Sequence, residues 1–355
     1  MNNTRFSWYR LRDNKVFWPL VALLLLMLFN AFFTPGFFNL EIKEGHLFGH
    51  LIDILNRGSV YMLLAIGMTM VIATGGVDLS VGAVIAISAC VATVLINPAL
   101  ATKLVASDKL VENITFTPMW LLILAALGAA TLCGLWNGIL VSRFKIQPMV
   151  ATLVLMVAGR GIAQLITNGQ IITVYYKPYY FIGNGYLLGL PFTLFITATV
   201  YLFAWFMTRR TAIGLFVESV GINAKSSFLS GINAKNIILM AYTFSGFCAG
   251  IAGLIVSSNV KSADANNAGL TSELDAILAV VIGGTLMTGG RFSLMGSVIG
   301  ALIIQTTTTT MYALGVPAMA ATAVKALVVL IVILLYSDQV RVGMTKLFEK
   351  KGARA

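Results

Sequence analysis

Charged residues are scarce in this chain of 355 residues, at 10% of the sequence, whereas hydrophobic residues make up 58%. Soluble proteins carry about 25% charged residues, so this composition excludes an ordinary soluble enzyme. The three cysteines, Cys90, Cys133 and Cys248, all lie within apolar segments. That placement is typical of small core residues and does not indicate a disulfide framework or a metal site.

Motifs for hydrolytic chemistry are also missing. The sequence has no G-x-x-x-x-G-K-[ST] loop for ATP phosphates, no nucleophile elbow and no HExxH. His46 and His50 lie four residues apart near Glu41 and Glu44, but a zinc site needs more ligands than this pattern offers. We therefore expect no catalytic residue, no metal ion and no cofactor on this chain.

Apolar segments joined by short loops occupy most of the chain. We predict an all-α integral membrane protein with about ten transmembrane helices, which form one membrane domain over residues 1–355. The predicted spans are 16–33, 52–73, 81–96, 119–141, 150–167, 191–207, 237–257, 275–288, 294–313 and 319–336. The third and the eighth are shorter than the ~20 residues that cross a bilayer. Short spans interrupted by glycine are often broken helices that line a path.

Basic residues lie mainly at the ends of the predicted spans. If the N-terminus is cytoplasmic and loops alternate between sides, most Lys and Arg residues fall on the cytoplasmic side, as membrane orientation requires. The net charge of +11 then reflects orientation in the membrane, not nucleic-acid binding. Ten spans place both termini in the cytoplasm.

A weak internal repeat appears at an offset of 214 residues. Segments 64–85 and 278–299 align without gaps and share a Thr-Gly-Gly tripeptide near their centres. Either the biased composition produces this likeness by chance, or the chain has two halves around a pathway, as many transporters do.

Polar side chains at membrane depth are costly and are by default functional. The candidates for a substrate pathway are Asp78, Asn137, Arg160, Gln164 and Asp275. Asp78 either caps the following helix or contacts a permeant. Arg160 and Gln164 share one helix face, where they either bond a polyol or pair with other protein groups. Asn137 either binds a sugar or joins helices.

The loop 261–275 is the most polar of the outward loops. Its acidic and amide residues crowd one mouth of the predicted pathway: Asp264, Asn266, Asn267 and Glu273. They either meet a partner or substrate on the outer side, or they cap the eighth span.

The longest polar and basic segment between spans is 208–236, which contains the pentapeptide GINAK twice. Asparagine is a strong N-cap, so we expect Asn223 to begin a short helix over Ala224–Leu229 that Gly231 ends. Phe228 and Leu229 would then form an apolar docking knob for a partner outside the membrane. An ordinary solvated loop is the alternative.

Six motifs together resemble the membrane subunit of bacterial sugar ABC importers of the ribose, xylose and galactose type. They are GGVDLSVG (75–82), KIQPMVATL (145–153), AGRGIAQLITNGQ (158–170), VGINAKSSFLSGI (220–232), ADANNAGLTSELDAILAVVIGG (263–284) and GGRFSLMGSVIGALIIQ (289–305). The resemblance covers about residues 50–336. Within this family, ADANNAGL and AGRGIAQLIT most resemble the permeases of galactofuranose importers. The termini and the outer loops 97–118 and 171–190 depart from the pattern.

The resemblance implies a permease subunit of the type II ABC-importer class in a bacterial inner membrane. It implies import of a monosaccharide, galactofuranose or a related pentose or hexose. The implied partners are a cytoplasmic subunit that binds and hydrolyses ATP, a periplasmic sugar-binding protein, and a second permease subunit, identical or homologous. The family's coupling segment falls on 218–232, and the residues concerned are Glu218, Asn223, Lys225, Phe228, Leu229 and Gly231.

A stand-alone, proton-coupled sugar transporter is the alternative function. In that case Asp78, Arg160 or Asp275 would form a proton relay, and no ATPase partner would be needed.

Overall fold

The computed structural model describes residues 16–43, 45–97, 117–317, 320, 323–327 and 330. The described residues confirm the predicted fold class, because helices dominate. The helices are α1 (Phe17–Phe33), α2 (His50–Ala73), α3 (Val81–Ile96), α4 (Met119–Ser142), α5 (Pro148–Ile166), α6 (Lys177–Asn184), α7 (Phe192–Arg209), α8 (Ile213–Ile222), α9 (Ala224–Leu229), α10 (Ala234–Val260), α11 (Ser272–Ile282) and α12 (Leu294–Ala313).

Short antiparallel ladders join some of the connecting loops. Strand β1 (Glu41–Lys43) pairs with β2 (His46–Phe48), β3 (Ile172–Thr173) with β6 (Ser262–Ala263), and β4 (Tyr186–Leu187) with β5 (Leu190–Pro191). The β3–β6 pair ties the loop after α5 to the loop after α10. These ladders therefore organise the loops at one end of the helix bundle.

Six of the described helices, α2, α4, α5, α7, α10 and α12, are long and apolar enough to cross a membrane. Helices α1, α3 and α8 are shorter and also apolar. Eight of the ten predicted spans coincide with a described helix to within three residues at each end. The tenth, 319–336, lies largely outside the described residues, as do both chain termini and most of the loop 97–118.

The eighth predicted span, 275–288, differs from the structure. Helix α11 begins at Ser272 and already ends at Ile282, because Gly283 and Gly284 follow. Gly284 has a φ of +82°, a left-handed conformation that glycine adopts easily and that commonly ends a helix. The result is a short helix followed by a glycine turn.

Helix α2 is the centre of the bundle. Residues 58–73 of this helix, apart from Tyr61, are buried, and α7, α10, α11 and α12 pack against it. A helix that is apolar on all sides belongs in the interior. Its continuous apolar sequence therefore explains its central place.

Glycine lets α4 and α10 approach closely. A Cβ atom at Gly134 would lie 2.4 Å from the Tyr242 carbonyl oxygen and 3.0 Å from the Cα of Gly246. Small residues at such crossings are typical of membrane helices, where tight packing replaces the hydrophobic driving force between helices. The glycine at position 134 of α4 thus allows α10 to pack closely against it.

The two repeat segments share a conformation and contact each other. Each forms a helix, a glycine turn and a second helix: α2 with α3, and α11 with α12. The aligned turn glycines, Gly75 and Gly289, have φ values of +83° and +85°. The amide of Gly290 donates to the carbonyl oxygen of Ala73 at 2.9 Å. The repeat is therefore a structural correspondence as well as a sequence one.

We expect Gly134→Ala to lower the thermal stability of the purified chain. The added Cβ would force α4 away from α10, and overpacking of this kind costs about 1–3 kcal/mol. The matched control is Gly128→Ala on the same helix, where an added Cβ meets nothing within 4 Å. Thermal unfolding in detergent measures the difference. Equal melting temperatures for the two variants would contradict the close packing of α4 on α10.

Candidate functional site

A polar cavity of about 730 Å³ opens at the end of the bundle opposite α9, which we call the cavity end. It lies between the start of α2, the ends of α10 and α12, and the loop that leads to α11. Its polar lining residues are His50, Asp53, Arg57, Tyr61, Asn259, Asn267, Ser272, Gln305, Thr308, Thr309 and Tyr312. Many uncharged hydrogen-bonding groups with few charges suit a neutral, polyhydroxylated ligand.

The sequence analysis missed most of this lining, and among these residues it assigned a functional contact to Asn267 alone. A signal was nevertheless present, because Asp53, Arg57 and Tyr61 recur every four residues and so share one face of α2. On α12, Gln305 and Thr309 have the same spacing, and the Gln305 amide donates to the Thr309 hydroxyl at 3.2 Å. One polar face of α2 and one polar face of α12 therefore line the cavity.

Asp275 lies one turn below Ser272 on α11 and forms an ion pair. The Nζ atom of Lys325 lies 2.8 Å from each of its carboxylate oxygens, and the residue is only 5% exposed. The contact ties α11 to the described helical segment 323–327. Asp275 is thus close to the cavity, but its carboxylate is neutralised by the protein.

Asp78 and Asn137 lie in a buried hydrogen-bond network and do not line the cavity. One oxygen of Asp78 accepts from the Ser80 amide and hydroxyl, at 3.0 and 2.6 Å. The other accepts from the Ser245 hydroxyl at 2.9 Å, and the Asn137 amide donates to the Ser80 hydroxyl at 2.8 Å. This network joins α4 and α10 to the start of α3. Both residues are 1% exposed or less. The protein supplies partners for both Asp78 oxygens and for the Asn137 amide nitrogen, whereas the Oδ1 atom of Asn137 is buried without a hydrogen-bond partner among the described residues.

Arg160 and Gln164 hold the loop between α10 and α11. The guanidinium of Arg160 donates to the carbonyl oxygens of Ala265 and Ala268, at 3.1 and 2.5 Å. The Gln164 amide donates to the Asn266 side chain at 2.5 Å. The predicted common face of these two residues is therefore real, and it faces this loop.

Asp264 shapes the same loop from within. Its carboxylate accepts from the amide of Asn266 at 2.9 Å and from the side chain of Asn267 at 2.6 Å. Desolvation raises the pKa of Asp264, but these hydrogen bonds and the Arg160 charge outweigh it and hold the pKa below its ordinary value. Asn266 and Asn267 are exposed, whereas Glu273 is only 4% exposed. Glu273 therefore does not lie on the outer surface where the sequence analysis placed it, because it is folded against Gly82 of α3.

At the opposite end, the short helix expected after Asn223 is present as α9. The Asn223 side chain accepts from the amides of Lys225 and Ser226, at 3.0 and 3.1 Å. Gly231, with φ of +85°, ends the helix: its amide donates to Phe228 and the next amide donates to Ser227. This pair of bonds is a Schellman motif, so both ends of α9 are fixed.

The apolar side chains of α9 point away from the protein. Phe228 is 70% exposed and Leu229 is 86% exposed, although the helix that carries them is capped at both ends. Lys225 at its start is exposed as well. Helix α8, which precedes α9 and carries Glu218, was not expected from the sequence.

Gly221 allows the 208–236 segment to contact both repeat segments. A Cβ at this position would lie 1.9 Å from the carbonyl oxygen of Ala73 and 2.4 Å from the amide nitrogen of Gly290. Ala73 ends α2, and Gly290 lies in the turn between α11 and α12. The end of α8 therefore touches the two glycine turns directly, without intervening side chains.

A multi-pass bundle with a polar cavity at one end and a capped, exposed apolar helix at the other is typical of membrane transport proteins. The family described as "Branched-chain amino acid transport system / permease component" matches residues 50–336. The chain belongs to this family of transport permeases.

Curated relatives match over most of their length. The chain is 48% identical to the galactofuranose transporter permease protein YtfT of Escherichia coli K12, with 91% of each chain covered. It is 35% identical to the fructose import permease protein FruF of Bifidobacterium longum, covering 98% of this chain and 94% of the relative. It is also 35% identical to the ribose import permease protein RbsC of Haemophilus influenzae, covering 88% and 90%. No solved structure matches the chain.

We expect Asp78→Ala to destabilise the chain by about 2–4 kcal/mol, because three hydrogen bonds to a buried carboxylate are lost. Asp78→Asn keeps an acceptor oxygen and should lie between this variant and the wild type. Thermal unfolding in detergent measures both. A chain with Asp78→Ala that is as stable as the wild type but inactive in uptake would instead place this carboxylate in the pathway.

Proposed function

We propose that this chain is the transmembrane permease subunit of an ATP-binding-cassette importer that brings a monosaccharide into the cytoplasm. The relatives named above are permeases for galactofuranose, fructose and ribose, so the substrate class common to them is a monosaccharide. The higher identity to the galactofuranose permease favours that sugar. The chain would lie in a bacterial inner membrane with both termini cytoplasmic, which places its basic loops inside.

The observation that carries the proposal is the construction of the 208–236 segment. It presents Phe228 and Leu229 to the outside on a helix with two fixed ends, and Gly221 rests on both repeat turns. A separate subunit that binds and hydrolyses ATP would dock on this surface, with Glu218 and Lys225 as charged contacts beside the apolar knob. This chain itself would bind neither ATP nor another cofactor.

Movement of the docked subunit would reach the pathway through backbone contacts. Because Gly221 touches the end of α2 and the turn before α12, displacement of α8 shifts both repeats together. Packed glycine backbones transmit such a displacement well, since protein interiors are dense and have little room to yield.

The polar cavity would receive the sugar on the periplasmic side. A periplasmic sugar-binding protein would dock at its rim, where Asn266 and Asn267 are exposed and Asp264 fixes the loop. Arg160 and Gln164 keep that rim in place. A second permease subunit, identical or homologous, would complete the pathway.

The remaining pathway candidates take supporting roles in this proposal. Asp275 and Lys325 brace α11 beside the cavity, and Asp78 and Asn137 join α3 to α4 and α10. A proton-coupled transporter would instead need a carboxylate in the pathway that takes up and releases a proton, and Asp53 is the acidic residue of the cavity lining. Uptake that survives loss of the ATPase partner and collapses with an uncoupler would favour that alternative.

We expect the double variant Phe228→Asp and Leu229→Asp to abolish co-purification of the ATP-binding partner and its coupled ATPase activity in lipid. Two charges in an apolar contact lose their hydration without gaining a partner. The matched control is Phe144→Asp, at an equally exposed phenylalanine in the loop after α4 at the same end of the bundle. Unchanged coupling in the double variant would show that the segment is an ordinary solvated loop.

We expect Thr309→Val to raise the KM for uptake of labelled galactofuranose by up to about tenfold, since one hydrogen bond contributes about 0.5–1.5 kcal/mol. Thr93→Val is the control, because the hydroxyl of Thr93 bonds to Ala89 within its own helix. Competition with unlabelled ribose and fructose ranks the sugars in the same assay. An unchanged KM for Thr309→Val would show that this side of the cavity, on α12, does not contact the transported sugar.

A further inference from the structure

A second cavity, of about 650 Å³, opens between α4, α7 and α10. Large apolar side chains line it, among them Leu135, Phe203, Met207, Leu239, Phe244 and Phe247. Phe203 is 56% exposed, so the cavity faces the surroundings of the bundle. We call it the lateral groove.

The threonines of the lateral groove present methyl groups to it. The hydroxyls of Thr131, Thr199 and Thr243 each donate to the carbonyl oxygen four residues earlier, at 2.6, 2.8 and 2.8 Å. Back-bonding of this kind satisfies the hydroxyl within its own helix. The groove is consequently apolar along its length, although its sequence contains three hydroxyl side chains.

The groove has the length of one membrane leaflet. Its lining on α10 runs from Asn236 to Phe247, which is about 16 Å at 1.5 Å per residue. Half of the ~30 Å hydrocarbon core of a bilayer is ~15 Å. One acyl chain therefore fits the groove along its full length.

Two arginines stand at one end of the groove. On α4, the spacing of four that joins Thr131 to Leu135 continues to Arg143, whose guanidinium donates to the Asn236 side chain at 3.3 Å. Arg210 directly follows α7, three positions after the lining residue Met207, and its guanidinium lies over the Trp205 ring, 5.8 Å from the ring centroid. Within the described ranges neither arginine has a carboxylate partner. This end lies on the same side of the bundle as α9.

We propose that the lateral groove binds an anionic phospholipid, with one acyl chain between α4, α7 and α10 and its phosphate at Arg143 and Arg210. Arginine pairs phosphate oxygens in bidentate fashion, and basic pockets between membrane helices on the cytoplasmic side hold acidic headgroups. The bound lipid fills the space beside α7, which leads directly into the 208–236 segment.

An identical second copy of the chain fits this groove poorly. A two-fold axis normal to the membrane would bring the same surface of each copy together at the same depth. The arginines of the two copies would then face each other, which is unfavourable without an intervening anion.

The experiment equilibrates the purified full chain with equal amounts of phosphatidylglycerol and phosphatidylcholine that carry the same acyl chains. Native mass spectrometry then counts the bound lipids. We expect preferential retention of phosphatidylglycerol. Arg143→Gln and Arg210→Gln should each lower its affinity by about fivefold, whereas Arg291→Gln, at an exposed arginine of the loop before α12, should leave it unchanged.

A second pair of variants tests the acyl chain separately from the charge. Thr243→Phe fills the groove without removing an arginine and should abolish retention of the site's lipid. Leu153→Phe, at a half-exposed position of α5, should retain it. Added inorganic phosphate should not compete, because it lacks an acyl chain.

Three results would overturn the proposal: no preference for phosphatidylglycerol, equal loss in the Arg291→Gln control, or full retention in Thr243→Phe. As a fourth such result, cross-linking between two copies of the Phe203→Cys variant, at the most exposed of the groove positions named above, would show that protein covers the groove.

Discussion

The structure depends on close contact between backbones at glycine. Gly134 lets α10 lie against α4, and Gly221 lets α8 rest on the ends of both repeats. In a membrane, apolar side chains gain no hydrophobic free energy when they exchange contacts with lipid for contacts with each other. Close packing between helices therefore supplies the stabilisation. A single methyl group at these positions would separate elements that otherwise touch. The buried polar network of Asp78 depends on the same proximity, because it joins groups from α4 and α10 to the start of α3.

Local signals in the sequence were sufficient to predict most of the membrane-spanning helices and the caps of α9, but not the short helices α6 and α8. Apolar runs gave most spans to within three residues, since a membrane helix needs little beyond length and hydropathy. Asn223 and Gly231 defined α9 because capping depends on the residues next to the cap. The end of α11 was misplaced because the apolar character continues past Gly283, while the backbone does not continue as helix.

The roles of polar residues at membrane depth could not be predicted in the same way. Asp78 bonds to Ser245, which is 167 positions away, and Arg160 bonds to carbonyl oxygens more than a hundred positions away. A charge in a span indicates that some partner exists, but only the packing of helices determines which one. The polar cavity escaped prediction for a related reason, since its walls come from α2, α10, α12 and the loop before α11, and only the packing of the chain brings these segments together.

The contact between Gly221 and the end of α2 also has a geometric consequence. Helix α2 has 24 residues and is therefore about 36 Å long, and it runs from this contact to the polar cavity. A rigid rod of that length that pivots by about 5° at its base moves its far end by about 3 Å. That distance matches the length of a hydrogen bond. A small tilt at the base of a helix of this length would therefore be enough to break or form polar contacts at the cavity.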